Sequence, residues 1–177
     1  IAGGRDIDYQ HTLPSELVEP LKSLKGIAAV DQFRALDITY NELPVVLATG
    51  DFSVLSQYGN LVIKSGPPAQ ELNNLMVGHN RALVSEAFSL KHKVTVGDTL
   101  ELKTPEGPAK IEVAAIYFDY SRERGYIILD RTTFLKYYGE SEINSFVIYL
   151  KDKTQLESIR KEVLKTLKDH RLIIRSN

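Results

Sequence analysis

Cysteine is absent from all 177 residues. Disulfides and thiolate metal centres are thereby excluded, and nothing in the chain reports the redox state of its compartment. Long apolar runs are missing too, since none approaches the roughly 20 residues that span a bilayer as a helix. The opening Ile-Ala-Gly-Gly lacks the basic and then apolar run of a signal peptide. Nor does charge of one sign dominate: 22 basic residues face 23 acidic ones, for a net charge of −1. Counterion-release binding needs clustered Lys and Arg, so a nucleic-acid surface and a polybasic membrane arm are both disfavoured. Neither G-x-x-x-x-G-K-S/T nor G-x-G-x-x-G occurs, so a phosphate cradle is missing and the chain is not expected to hydrolyse ATP itself.

What remains is an ordinary folded composition, 43% hydrophobic and 25% charged, long enough to bury a real core. The N-terminal part reads β-α-β-β. Arg5 to Gln10 is a short strand, and Pro14 to Lys25 is a helix stopped by Gly26, with Pro20 kinking or splitting it. Val30 to Tyr40 and Leu43 to Thr49 form a hairpin turning at Asn41-Glu42. The C-terminal part reads β-α-β: a strand over Ser145 to Leu150, a helix over Thr154 to Lys168, and a last strand over Leu172 to Ile174. Leu156, Ile159, Val163 and Leu167 recur at helical spacing, and Thr154 with Glu157 has the form of a capping box. Between lies Gly50 to Asn144, with short strands, Gly/Pro turns and little helix. The economical reading is an α+β fold: residues 1–49 plus 145–177 make a ferredoxin-like β-α-β-β…β-α-β layer, and residues 50–144 make an inserted β-rich subdomain.

Candidate chemistry is sparse. His11, His79, His92 and His170 are scattered, with no pair at helical i, i+4 spacing, and surface histidines are favoured over a metal site. Asp6 and Asp8 share one face of a strand, but a hard cation needs about six oxygens, and nothing nearby supplies the others. Ser85 lacks the flanking glycines of a nucleophile elbow and is read as the cap of a helix over Glu86 to Lys91. The densest polar cluster is Asp119-Tyr-Ser-Arg-Glu-Arg-Gly125. Its two arginines and two carboxylates can bind an anion or serve a hydrolase through Asp119, Arg122 and Glu123. The same residues make an ordinary turn, with Asp119 bonding its loop and Gly125 supplying a left-handed position. Turn architecture is favoured, and contact with a partner is the second reading. Tyr117, Phe118, Tyr120 and Tyr126 near this loop are read as core or rim packing, without the basic interleaving of a base-stacking platform. No catalytic, cofactor-binding or metal residue is assigned.

Leu83 to Gly125 carries one further signal: V-S-E-x-F, then V-G-D-T-L-x-L, a Gly turn over Pro105-Glu106-Gly107, a strand ending in D-Y-S, and R-G before another strand. This order and spacing resembles the extracytoplasmic (periplasmic core) domain of MacB/FtsX-type ABC transporter permeases. The likeness is strongest over Val84 to Leu150 and looser over Leu13 to Asp51, where Gly26-Ile-Ala-Ala-Val, Phe33-Arg34 and Leu43-Pro44-Val45 follow the family's course. Asn41-Glu42 departs from the Asn-Gly expected at the hairpin. The resemblance implies a domain on the outer face of the cytoplasmic membrane, without cofactor, coupling ATP-driven transmembrane motion to the handling of a substrate or partner. It implies a separate cytoplasmic ATPase subunit reached through flanking transmembrane helices, and a second permease protomer or periplasmic partner. A start on Ile rather than Met fits an excised piece, and the two chain ends, near Arg5 and Arg175, are expected close together. Two rivals are a stand-alone extracellular binding module and a hydrolase built on the Asp119–Glu123 loop.

Overall fold

The computed structural model describes residues 11–119, 123–139 and 141–168. The strands expected at Arg5 to Gln10 and Leu172 to Ile174, and the chain ends, lie outside them. The described chain starts with a 3-10 turn over Ser15–Val18 that runs into helix α1, Glu19–Lys22. This is shorter than the helix expected over Pro14 to Lys25. Pro20 falls in the first turn of α1, where a missing N–H is harmless, so the regular helix begins around it and not before it.

Strand β1 (Ile27–Tyr40) and strand β2 (Leu43–Gly50) form the expected hairpin. Asn41 and Glu42 stand at φ 46° and 65°, the left-handed pair that a two-residue primed turn requires. After β2 come helix α2 (Phe52–Tyr58), strand β3 (Ile63–Ser65), helix α3 (Leu72–Met76), strand β4 (Arg81–Ser85) and helix α4 (Glu86–His92). Strand β5 (Thr99–Thr104) and strand β6 (Gly107–Tyr117) follow, then strand β7 (Tyr126–Asp130), helix α5 (Arg131–Tyr138), strand β8 (Ser145–Leu150) and helix α6 (Leu156–Thr166). The region 50–144 is thus less purely β than its texture suggests, for it holds α2, α3, α4 and α5. None of these exceeds eight residues, too few turns to print a helical period.

The eight strands of the described residues belong to one mixed sheet in the order β3-β6-β4-β7-β2-β1-β8, with β5 also paired to β6. The pairs β2–β7 and β4–β6 are parallel and the others antiparallel. The chain turns at Gly97-Asp98, where the Asp98 carboxylate accepts the Thr95 N–H at 2.7 Å. This turn leads into β5 from a loop, and no strand precedes it. The hairpin over Pro105-Glu106 joins β5 to β6 as expected.

β1 serves two ladders in turn. Its first half, Ile27 to Phe33, pairs with β8, and its second half, Arg34 to Tyr40, pairs with β2. The core divides accordingly. Val18 and Leu21 before and in α1, Ile159 and Val163 of α6, and Ile27 and Val30 of β1 form one cluster over the β1–β8 ladder. Helices α1 and α6 thus share one cluster, while the outer strands of the expected ferredoxin-like layer lie outside the described residues. Two further clusters cover the two sides of the remaining sheet, centred on Phe88 with Phe134 and on Phe52 with Leu72 and Met76. The expected boundary at Thr49/Gly50 falls within β2, which is hydrogen-bonded to β1 on one side and β7 on the other.

The helix expected from Thr154 opens differently. Asp152 accepts the Thr154 N–H at 2.9 Å and starts a 3-10 turn over Lys153–Gln155, and α6 proper begins at Leu156 with no side-chain cap. An acceptor two residues earlier takes the orphan N–H, so the Thr154–Glu157 capping box does not form.

Candidate functional site

Two polar regions stand out, one at the loop near Gly125 and one where β1 changes partner. At the first, Ser85 ends β4 and caps α4 as expected, with its hydroxyl accepting the Phe88 N–H at 3.2 Å. The same oxygen accepts the Tyr126 N–H at 2.9 Å, which fixes the start of β7 to α4. Ser85 is buried and accepts two backbone N–H groups, so its hydroxyl serves as a structural acceptor. Gly125, at φ 81°, lets the loop pass directly over α4: a Cβ there would meet the Phe88 backbone nitrogen at 2.7 Å. No flexible side chain is available to yield, so both the φ and the space require glycine.

Among the described residues, the charged groups before Gly125 have separate partners. Asp119 accepts the Tyr117 hydroxyl at 3.1 Å, Glu123 is exposed, and Arg122 lies outside the described residues. Arg124 reaches Asp37 at 3.6 Å, with both side chains more than half exposed, an ion pair of little energetic weight. Beside this loop, Phe118 (36% exposed) and Val62 (55% exposed) form an apolar lip, tied by the Phe118 N–H to the Val62 carbonyl. Lys64, paired with Glu86, lies 6.0 Å from the Phe118 ring. Apolar and charged groups thus stand side by side on this exposed rim.

The histidines stay apart. His11 and His79 are exposed, and each lends its backbone carbonyl, to Asn144 and Thr133 respectively. His92 is half-buried, with its ring 4.5 Å from Phe88 and 5.0 Å from Tyr40. Burial, and then Lys91, holds its pKa below the ordinary value, so it packs as a neutral ring. His170, Asp6 and Asp8 lie outside the described residues, among which no three His, Asp or Glu side chains are grouped to hold a metal ion.

The second region was not visible in the sequence. Where β1 passes from β8 to β2, Asn144 satisfies the backbone on both sides. Its side-chain oxygen accepts the Ala35 N–H at 2.7 Å and an Arg34 guanidinium N–H at 3.2 Å, while its own N–H donates to the Phe33 carbonyl at 2.8 Å. Nearby, buried Asp31 accepts the Asp51 N–H at 2.8 Å, and buried Asp130 accepts the Phe52 N–H at 3.2 Å. Asp51 and Asp130 also cap α2 and α5, at the carboxyl ends of the parallel pair β2–β7. Two clefts open here. One, of about 250 Å³, is lined by Lys22, Val30, Asp51 and Val54, and the other, of about 280 Å³, by Gln32, Asp51, Asp130 and Arg131. Neither is lined by Asp119 or Glu123. Every carboxylate of this group is engaged by backbone donors, which makes it a joint more than a reaction centre.

No family profile and no curated protein matches the chain by sequence. Solved structures do match it. The extracellular domain of the noncanonic ABC-type transporter YknZ from Gram-positive bacteria superposes with a TM-score of 0.67 at 14% identity, over 89% of this chain and 83% of that one. The periplasmic region of MacB from Actinobacillus actinomycetemcomitans gives 0.63 at 15% identity, over 89% and 73%. A domain of a putative permease protein from Porphyromonas gingivalis gives 0.56 at 13% identity, over 90% and 72%. The chain therefore has the α+β fold of the extracellular and periplasmic domains of ABC-type transporter permeases.

Proposed function

We propose that this chain is the extracytoplasmic domain of an ABC transporter permease, and that it carries ATP-driven motion of transmembrane helices to a substrate or partner outside the cytoplasmic membrane. The observation that carries the reading is the superposition of about nine-tenths of the chain on three domains of that class. Such a domain works by moving as a body, and a single sheet with three packed clusters has the stiffness for it. Leu13 near the described start and Leu167 near its end pack in one cluster, which suits a unit hung from the membrane by both ends. ATP hydrolysis then belongs to a separate cytoplasmic subunit, and the exposed lip of Val62 and Phe118 beside the Asp119–Glu123 loop is the face we assign to a periplasmic partner or second protomer.

Among the described residues, no helix is long and apolar enough to cross a membrane. The test is to delete residues 11–168 from the parent permease, bridge the gap, and reconstitute it with its ATPase. The reading expects transport to be lost while the ATPase still binds nucleotide. Transport that survives the deletion would refute it.

A further inference from the structure

The two halves of β1 meet at a buried acid. Asp31 lies two residues before Phe33, the last β1 residue paired with β8. Its side chain is 4% exposed and crosses to the backbone N–H of Asp51, which caps α2. Asp51 lines both clefts described above, so water can approach this contact from either. A second link between the same elements is the Tyr58–Tyr149 ring pair, at 5.3 Å, joining α2 to β8. The charged groups that act on Asp31 are the carboxylate of Asp51 and the guanidinium of Arg131, and the phenol of Tyr149 on β8 feels its charge in turn.

We propose that Asp31 is a proton-controlled latch between the β1–β8 ladder and α2. Neutral, it sits closed in the dry joint; ionised, it draws water in through the two clefts and loosens the joint.

The chemistry runs in one direction. A neutral carboxyl needs little hydration and can still accept the Asp51 N–H. A carboxylate at the same place is stripped of water and faces a second carboxylate, opposed by Arg131. Burial is the largest influence and pushes Asp31 up to about 7 from 3.8; the Asp51 carboxylate adds to it, while the N–H bonds from Asp51 and Gln32 and the charge of Arg131 pull against it. The closed joint therefore binds the proton more tightly than an open or unfolded one. Its stability is greatest below the ordinary aspartate range and falls as pH rises through that range to about 7. Opening then becomes easiest above neutrality.

The experiment reads amide exchange, corrected for the intrinsic effect of pH, in the 177-residue chain at about pH 5.5 and about pH 8. Protection of the Asp51 and Phe52 amides and of β8 should fall by about tenfold or more at the higher pH, since between the ordinary aspartate pKa and about 7 each pH unit shifts the opening equilibrium tenfold. Asp31→Asn, neutral at every pH, should keep the same protection at both. Asp51→Asn retains a good cap but removes the neighbouring negative charge, so the Asp31 titration midpoint should fall and the loss of protection should be smaller and level off at lower pH. If Asp31→Asn does not fold, Asp51→Asn and a direct NMR titration of the Asp31 carboxyl decide. Unchanged wild-type protection, an Asp31 that titrates near 4, or an Asp51→Asn midpoint that stays put would overturn the latch. Because these measurements use the chain alone, their failure leaves the transport reading standing, and failure of that reading leaves the latch standing.

Discussion

Asn144 shows how one side chain can hold a strand that has two partners. Where β1 leaves β8, the Ala35 N–H is met by the side-chain Oδ1 of Asn144, and Ala35 itself is fully buried. Asn144→Ala should strand that donor and destabilise the fold by about 1–3 kcal/mol, the cost of an unsatisfied buried group. A urea midpoint measures it. Asn144→Asp should lose less, because the acceptor is kept and Arg34 stands beside it. Nothing in the sequence near Asn144 marks this role, since its main partners lie some 110 positions away. Ser85 was legible because a cap acts on residues only three positions on; its second bond, to Tyr126, was not. At the Asp119–Glu123 loop, Glu123→Gln should change stability by no more than about 0.5 kcal/mol, as at other solvated surface sites. Asp119→Asn should behave alike, because the amide oxygen still accepts the Tyr117 hydroxyl. A larger loss at Glu123 would show that this side chain anchors the loop.

At the scale of elements, what could be read in advance were features with local causes. The β1–β2 hairpin and β8 were legible from alternating apolar residues bounded by polar turns, and α6 from apolar residues at helical spacing. The short helices α2, α3 and α5 were not, because one or two turns give periodicity nothing to repeat, and each owes its place to the sheet it covers. The start of α6 was misplaced by two residues, since both Asp152 and Thr154 are good caps and only the backbone path chooses between them. Asp152→Ala should therefore lower the thermal midpoint, whereas Thr154→Ala should do so much less. The bonds from Thr154 hold the Asp152 carboxyl below its ordinary pKa. Its contribution is accordingly present above the ordinary aspartate range and fades as pH falls through it, so the difference between wild type and Asp152→Ala should shrink in acid. Equal effects of the two substitutions at neutral pH would restore the Thr154–Glu157 capping box as the operative cap.

Over the whole molecule, the resemblance in Val84 to Leu150 led to the right fold because those residues build the end of β4 and all of β5 through β8. Their order reports a topology. A division into two subdomains is harder to read from sequence, because β1 and β2 carry hydrogen bonds into both regions, and we propose that the joint at Asp31 and Asn144 is where any such division works mechanically. The absence of cysteine makes the central claim directly measurable, because one introduced cysteine here is the only thiol in this chain. Spin labels at Glu123→Cys and at one membrane-facing position of the proposed parent permease, with any other cysteines replaced and its ATPase reconstituted, report the distance from this domain to the membrane. That distance should shift between the ATP-trapped and nucleotide-free states, as one displaced but still narrow distribution expected of a body moving whole. Identical distributions in the two states, with the ATPase shown to be active, would contradict the account.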